Sequence, residues 1–242
     1  MHTVAVLALD QVIPFDLSAP IDTFGRARLP DGREPYRIRV CSPTADEEVN
    51  AGPFTIRAPH GLEALAEADT IILPGVANPA APLPPGVTEA LRAAAVNGTR
   101  IASICVGAFL FAATGLLDGL RVTTHWVAAA DLAARYPAVT VDPNVLYVDN
   151  GQFLTSAGAA AALDMCLHMI RNDHGSAVAA HAARMSVMPL EREGGQAQFI
   201  IHDQPPVPAG TTMEPLLGWL EENADRELTL EDIAAHAGMS TR

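Results

Sequence analysis

The chain contains no lysine. All fifteen of its basic residues are arginine, set against 28 acidic residues in a length of 242, for a net charge of −13. Such a balance excludes broad electrostatic attraction of this chain to nucleic acid. Cysteine is scarce too. Cys41, Cys105 and Cys166 stand in unrelated contexts, an odd count that makes neither a disulfide framework nor a metal motif. Only 18% of residues are charged and 49% are hydrophobic, which excludes global disorder. No apolar run approaches the roughly 20 residues of a membrane span. Neither a Walker-type loop nor a G-x-G-x-x-G fingerprint occurs, and no cofactor is expected. The stretch Met1–Asp10 lacks a basic flank and a cleavage site, so it reads as a first strand rather than a signal peptide. A cytoplasmic protein without a membrane partner is the expectation.

What is present is an alternation of short β-type runs with Ala/Leu-rich helical stretches. Strands are expected over 4–9, 36–42, 70–73 and 101–104, with helices over 19–27 and 87–97, the latter stopped by Gly98. This spacing points to an α/β fold with a mostly parallel sheet covered on both faces. Asp149-Asn150-Gly151, between 145–148 and 152–155, is a hairpin signal. Helices are expected over 157–171 and 174–185. Residues 202–212 are rich in proline and short polar residues, as a linker is. Beyond them an amphipathic helix is expected over 213–223. A second begins at Thr229, where Asp232 occupies the capping-box position, and it ends at Gly238.

The run Arg100-Ile-Ala-Ser-Ile-Cys105-Val-Gly107 is an apolar strand ending in a cysteine, followed by a small residue and a helical pattern. It reads as the cysteine form of a nucleophile elbow, which lifts a reactive side chain onto a helix N-terminus. Helix N–H groups there favour thiolate over thiol; the competing reading is a core cysteine at a strand end. Cys41 and Cys166 read as core. Asp16, in the loop after the first strand, is either a carboxyl serving the thiol or the cap of the following helix. His125 is either a base or orienting partner for the thiol, or structural. Leu73-Pro-Gly75-Val76 can turn two N–H groups toward an oxyanion, a weak signal by itself. Asp164 and His168 lie four apart and read as a helix-surface ion pair, with no ligands to complete a metal site.

Ala102-Ser-Ile-Cys-Val-Gly-Ala-Phe109, Gly115-Leu-Leu-Asp-Gly119 and Thr123-Thr-His-Trp126 together resemble the ThiJ/PfpI family of the class I glutamine amidotransferase-like superfamily, over roughly residues 3–172. The resemblance implies a flavodoxin-like three-layer α/β sandwich over 1–201 with Cys105 at the elbow, and Asp16 and His125 beside it. Arg192-Glu-Gly-Gly-Gln-Ala-Gln-Phe199, the proline-rich linker, Pro215–Asn223 and Leu228–Ser240 resemble the branch fused to an AraC/XylS-type helix-turn-helix domain. That resemblance implies a transcriptional regulator whose first domain senses a small-molecule effector or dimerises, with Gly75, Val76 and Val106 lining the pocket. A homodimer is implied, as is DNA contact through a complete C-terminal module rather than this chain.

Residues 213–242 carry seven acidic groups against Arg226 and Arg242, a net charge of −5, and only the opening all-α part of such a module. The gene is therefore expected to continue past Arg242. The alternative is a cysteine-dependent hydrolase or hydratase of the isonitrile hydratase kind. Relatives of that kind usually have threonine directly after the cysteine, where this chain has Val106. A third reading makes Cys105 a redox sensor that oxidises to sulfenic or sulfinic acid.

Overall fold

The protein is described here from a computed structural model covering residues 1–189, 192, 194, 195, 197, 198, 213–223, 226 and 228–241. It divides into two compact units, Met1–Phe199 and Ile200–Arg242. The expected linker at 202–212 and the boundary at 201 lie outside the described residues.

In the first unit the chain order is β1 (His2–Leu7), α1 (Pro14–Gly25), β2 (Tyr36–Cys41), the hairpin β3 (Glu47–Asn50) and β4 (Thr55–Ala58), α2 (Glu63–Ala66), β5 (Thr70–Leu73), α3 (Val87–Val96), β6 (Arg100–Ile104) and α4 (Gly107–Ala112). There follow β7 (Arg121–Val122), α5 (Ala129–Arg135), β8 (Thr140–Val141), β9 (Tyr147–Asp149), β10 (Phe153–Ser156), α6 (Ala160–His174) and α7 (Ser176–Met185). Six strands form one sheet in the order β2-β1-β5-β6-β10-β9. All neighbours are parallel except β9, which turns back on β10 through the Asp149–Gly151 hairpin.

The inner parallel strands are buried on both faces, so their side chains alternate between two apolar layers. On β1, Val4 and Val6 join a core with α1, α6 and α7, while Ala5 and Leu7 join one with α2, α3 and α4. This is the expected flavodoxin-like α/β/α arrangement.

Several boundaries moved for local reasons. The helix expected from residue 19 starts five residues earlier, because Pro14 occupies a first-turn position where its missing N–H is harmless. Pro20 is carried inside that helix. The β3–β4 hairpin, α2, β7 and β8 carry too short a pattern to be read from periodicity. Asp164 and His168 do not pair with each other. Asp164 binds Arg192 and His168 binds Asp149, because rotation of α6 buries the aspartate and leaves the histidine at the rim.

The second unit contains α8 (Met213–Glu222) and α9 (Leu230–His236). Thr229 and Asp232 form the anticipated capping box, and Trp219 stacks on His236 with ring centroids 4.3 Å apart. Among the described residues no helix is long and apolar enough to cross a membrane.

At the edge of the sheet remote from the strand C-termini, Arg100 makes a bidentate ion pair with Asp173, at 2.8 and 2.7 Å, and Tyr36 donates its hydroxyl to the same carboxylate at 2.8 Å. Burial pushes the Asp173 carboxyl up, but the hydrogen bonds and charge of Arg100 overcome this and leave it below the usual carboxylate range. Its stabilising contribution is therefore present above the unfolded pKa of about 3.9 and is lost as pH falls through the lower folded value. Asp173→Asn should cost about 1–3 kcal/mol, less than a fully buried pair because the side chains keep 17% and 16% of their exposure. Urea titration at pH 7 measures this, and the difference from the parent should shrink toward pH 3.

Candidate functional site

β1, β5 and β6 end on one side of the sheet, and the order reverses between β1 and β5, where α/β sheets open a crevice. Asp16 follows β1, Gly75 follows β5 and Cys105 follows β6. The sheet therefore gathers at its C-terminal edge three positions that are far apart in sequence.

Cys105 sits at φ 56°, the left-handed region that costs a non-glycine residue about 1–2 kcal/mol. Its surroundings hold it there. Its N–H donates to Ser156 O at 3.0 Å, and its carbonyl accepts the Thr124 hydroxyl at 2.8 Å. Two glycines permit the close packing. A Cβ on Gly107 would lie 2.2 Å from Leu73 O, so α4 can cross the end of β5 only with glycine there. A Cβ on Gly158 would lie 2.3 Å from the Cys105 Cβ. The backbone is that of an elbow, while the Cys105 side chain is itself buried and packs into the core beneath it.

Asp16 is 2% exposed and lies in the first turn of α1. The capping position belongs to Ile13, which makes no side-chain cap bond. Asp16 Oδ1 accepts the N–H of Ala159 at 3.4 Å. Oδ2 faces Gly75, where a Cβ would sit 2.6 Å from it, and has no well-formed hydrogen bond among the described residues. Burial pushes the Asp16 carboxyl up, countered in part by the Ala159 N–H, Cys105, the Gly75 N–H and His125. Cys105 behaves similarly. Burial, then the Asp16 charge, push its thiol up to about 12, against the opposing pull of the Val106 N–H. Desolvation and the Asp16 charge thus oppose the N–H groups that favour thiolate, and α4, only six residues long, offers few of them.

His125 is half-buried and its Nδ1 accepts the Val127 N–H at 3.4 Å, while its ring stacks on Trp126. Among the described residues no hydrogen bond joins it to Cys105. It lies near enough to Asp16 for its charge to act there. Val106 packs over Gly75, where a Cβ would be 3.0 Å from its Cγ2. Val76 instead lines a cavity of about 150 Å³ with Leu9, Gln11 and Leu110, whose walls do not include Cys105. The structure therefore gathers Asp16, Gly75, Cys105 and Val106 closely, with His125 alongside and Val76 turned toward a neighbouring cavity.

Sequence reasoning missed Thr124, Gly158 and Ala159. The signal available for the last two was the small-residue run Ser156–Ala159 after a buried strand. Among the described residues no cluster of His, Cys, Asp or Glu could hold a metal ion.

Asp16→Asn keeps the volume and removes the charge, so the Cys105 pKa should fall below about 12. Iodoacetamide labelling at pH 8 should then speed up about tenfold for each pKa unit lost. Labelling of Cys41 and Cys166, both fully buried, should not change. Gly158→Ala, which combines a backbone clash with φ +83°, should destabilise the first unit by about 3 kcal/mol or more in urea titration.

The model of the DJ-1/PfpI family matches residues 2–172. The HTH-type transcriptional regulator GbdR of Pseudomonas aeruginosa is 25% identical over 246 aligned residues, covering all of this chain, which spans 65% of that regulator's length. Isonitrile hydratase of Pseudomonas putida is 30% identical over 166 residues, 68% of each chain. Among solved structures, an AraC family transcriptional regulator from Pseudomonas putida superposes with a TM-score of 0.68 at 20% identity, covering 77% of this chain and all of that one. The fold, the elbow and these matches agree: the chain belongs to the DJ-1/PfpI family.

Proposed function

We propose that the chain is the sensing part of a cytoplasmic, homodimeric transcriptional regulator of the AraC type. Residues 1–201 form the DJ-1/PfpI-like sensor, 202–212 the linker and 213–242 the opening of the helix-turn-helix module. A small-molecule effector binds beside Cys105, contacting Asp16, His125, Gly75 and Val106, while Val76 lines the neighbouring cavity. Its binding biases the attached DNA-binding module, as linkage between two sites requires. DNA contact belongs to the complete module, since residues 213–242 carry a net charge of −5.

One observation carries this choice over catalysis. Burial and the Asp16 charge push the thiol up to about 12, and His125 bonds Val127 rather than the sulfur, so the group beside the thiol is a carboxyl and not the imidazole that usually activates such a nucleophile. The same desolvated site sets the Asp16 carboxyl among the Cys105 thiol and the Ala159 and Gly75 N–H groups, polar groups that a small polar ligand can engage. The regulator name carried by a relative aligned along the whole chain supports the reading.

The second reading, a cysteine-dependent hydratase or hydrolase, is favoured by the similarity to isonitrile hydratase over 166 residues. Val106 counts against it, because it offers no hydroxyl beside the thiol. The natural gene product should retard DNA from its own upstream region in a mobility-shift assay, with Cys105→Ala altering the response to cell-extract metabolites rather than the basal shift. No retardation at any concentration up to about 10 μM, together with Cys105-dependent turnover of an isonitrile, would reverse the order of the two readings.

A further inference from the structure

Gln198, the last residue but one of the first unit, is only 8% exposed, an unusual place for a carboxamide. Both ends of its side chain are in use. Nε2 donates to Thr124 O at 3.1 Å and Val145 O at 3.0 Å, and Oε1 accepts the Trp126 N–H at 3.0 Å. One amide therefore clamps the backbone on both sides of His125. Thr124 in turn donates its hydroxyl to the carbonyl of Cys105, the residue held at φ 56°. A continuous set of hydrogen bonds runs from the strained elbow through Thr124 to Gln198.

Two residues that precede Gln198, Arg192 and Gly194, are also docked. Arg192 makes a two-pronged contact with the buried carboxylate of Asp164, at 2.9 and 2.5 Å. The carbonyl of Gly194 accepts the Leu146 N–H at 2.7 Å, and its Cα lies so close to Tyr147 that a Cβ would be 2.8 Å from the ring. Arg192, Gly194 and Gln198 thus fasten a strap across α6, β9 and the His125 loop. A side chain at position 194 would have to push the Tyr147 ring aside.

We propose that Gln198 is a latch joining the Cys105 site to the strap that leads into the C-terminal unit. A group that occupies the site and displaces the His125 loop breaks the Thr124 and Trp126 bonds to Gln198. The strap is then released at its C-terminal end. The carboxamide is suited to this because it must donate and accept at once, so a shift of either backbone segment leaves a buried polar atom unpaired. The purpose of the latch rests on the regulator reading, whereas the coupling itself lies wholly within the first unit.

Carbamidomethylation of Cys105 with iodoacetamide, verified by mass spectrometry, supplies an occupant of the site for the test. In the labelled chain, hydrogen exchange at the Trp126 N–H and across residues 192–198 should rise at least threefold, with α3 unchanged as a control. Gln198→Ala should give the same rise without label and should speed Cys105 labelling several-fold relative to Cys41 and Cys166. Gly194→Ala leaves the carboxamide intact and drives the strap from Tyr147, so it should act in the same direction and covers the case in which Gln198→Ala fails to fold. Unchanged exchange at 192–198 after Cys105 labelling overturns the latch, as does wild-type labelling kinetics in a folded Gln198→Ala variant. Absence of DNA binding by the natural gene product overturns the regulator reading and leaves the exchange coupling standing. The two failures are therefore separable.

Discussion

The left-handed backbone of Cys105 is the constraint around which the first unit is built. A residue at φ 56° persists only where its neighbours leave no alternative, and here they arrive from four directions. β10 supplies the acceptor for its N–H, Thr124 supplies a donor to its carbonyl, and Gly107 and Gly158 remove the Cβ atoms that would otherwise collide with β5 and with the cysteine itself. Those contacts also decide where α4 leaves the sheet and where α6 can start. Ala159, at the head of α6, carries a second positive φ of 48° and delivers its N–H toward Asp16. Strain at the site is thus shared between two successive crossings of the same sheet edge.

Desolvation sets the character of the site that results. A helix N-terminus and an adjacent carboxyl suggest ionised chemistry, yet the same enclosure that orders them disfavours charge on both Cys105 and Asp16. The protein's charge lies elsewhere: the Arg100–Asp173 pair ties the far edge of the sheet to the end of α6, at a distance from the elbow measured by the whole length of the strands.

Much of the fold was legible in the residues. Thr70–Leu73 is an apolar run too short for a helix and bounded by proline and glycine, and it forms a strand over those same residues. The Asp149–Gly151 turn and the Thr229–Asp232 capping box are local devices, so they survive any tertiary context. α1 begins earlier than the apolar pattern from residue 19 indicates: the segment around Asp16 reads as a loop, although a helix accepts proline in its first turn. The β3–β4 hairpin was missed, since Glu47–Asn50 alternates over only four residues and buries a single valine. Of the site, Cys105 announced itself through strand, cysteine and glycine in succession, whereas Thr124, Gly158 and Gln198 did not.

The division has a physical cause. Periodicity, turn chemistry and capping act over a few residues, so the sequence by itself determined the alternation of strands and helices, the parallel sheet and the cysteine at its C-terminal edge. Protonation, hydrogen-bond pairing and close approach depend on what distant segments bring to the same few ångströms. Only the tertiary structure could decide that Asp164 binds Arg192 rather than His168, that burial prevails over the helix end at Cys105, and that a glutamine 93 positions later shares a hydrogen-bonded chain with the elbow.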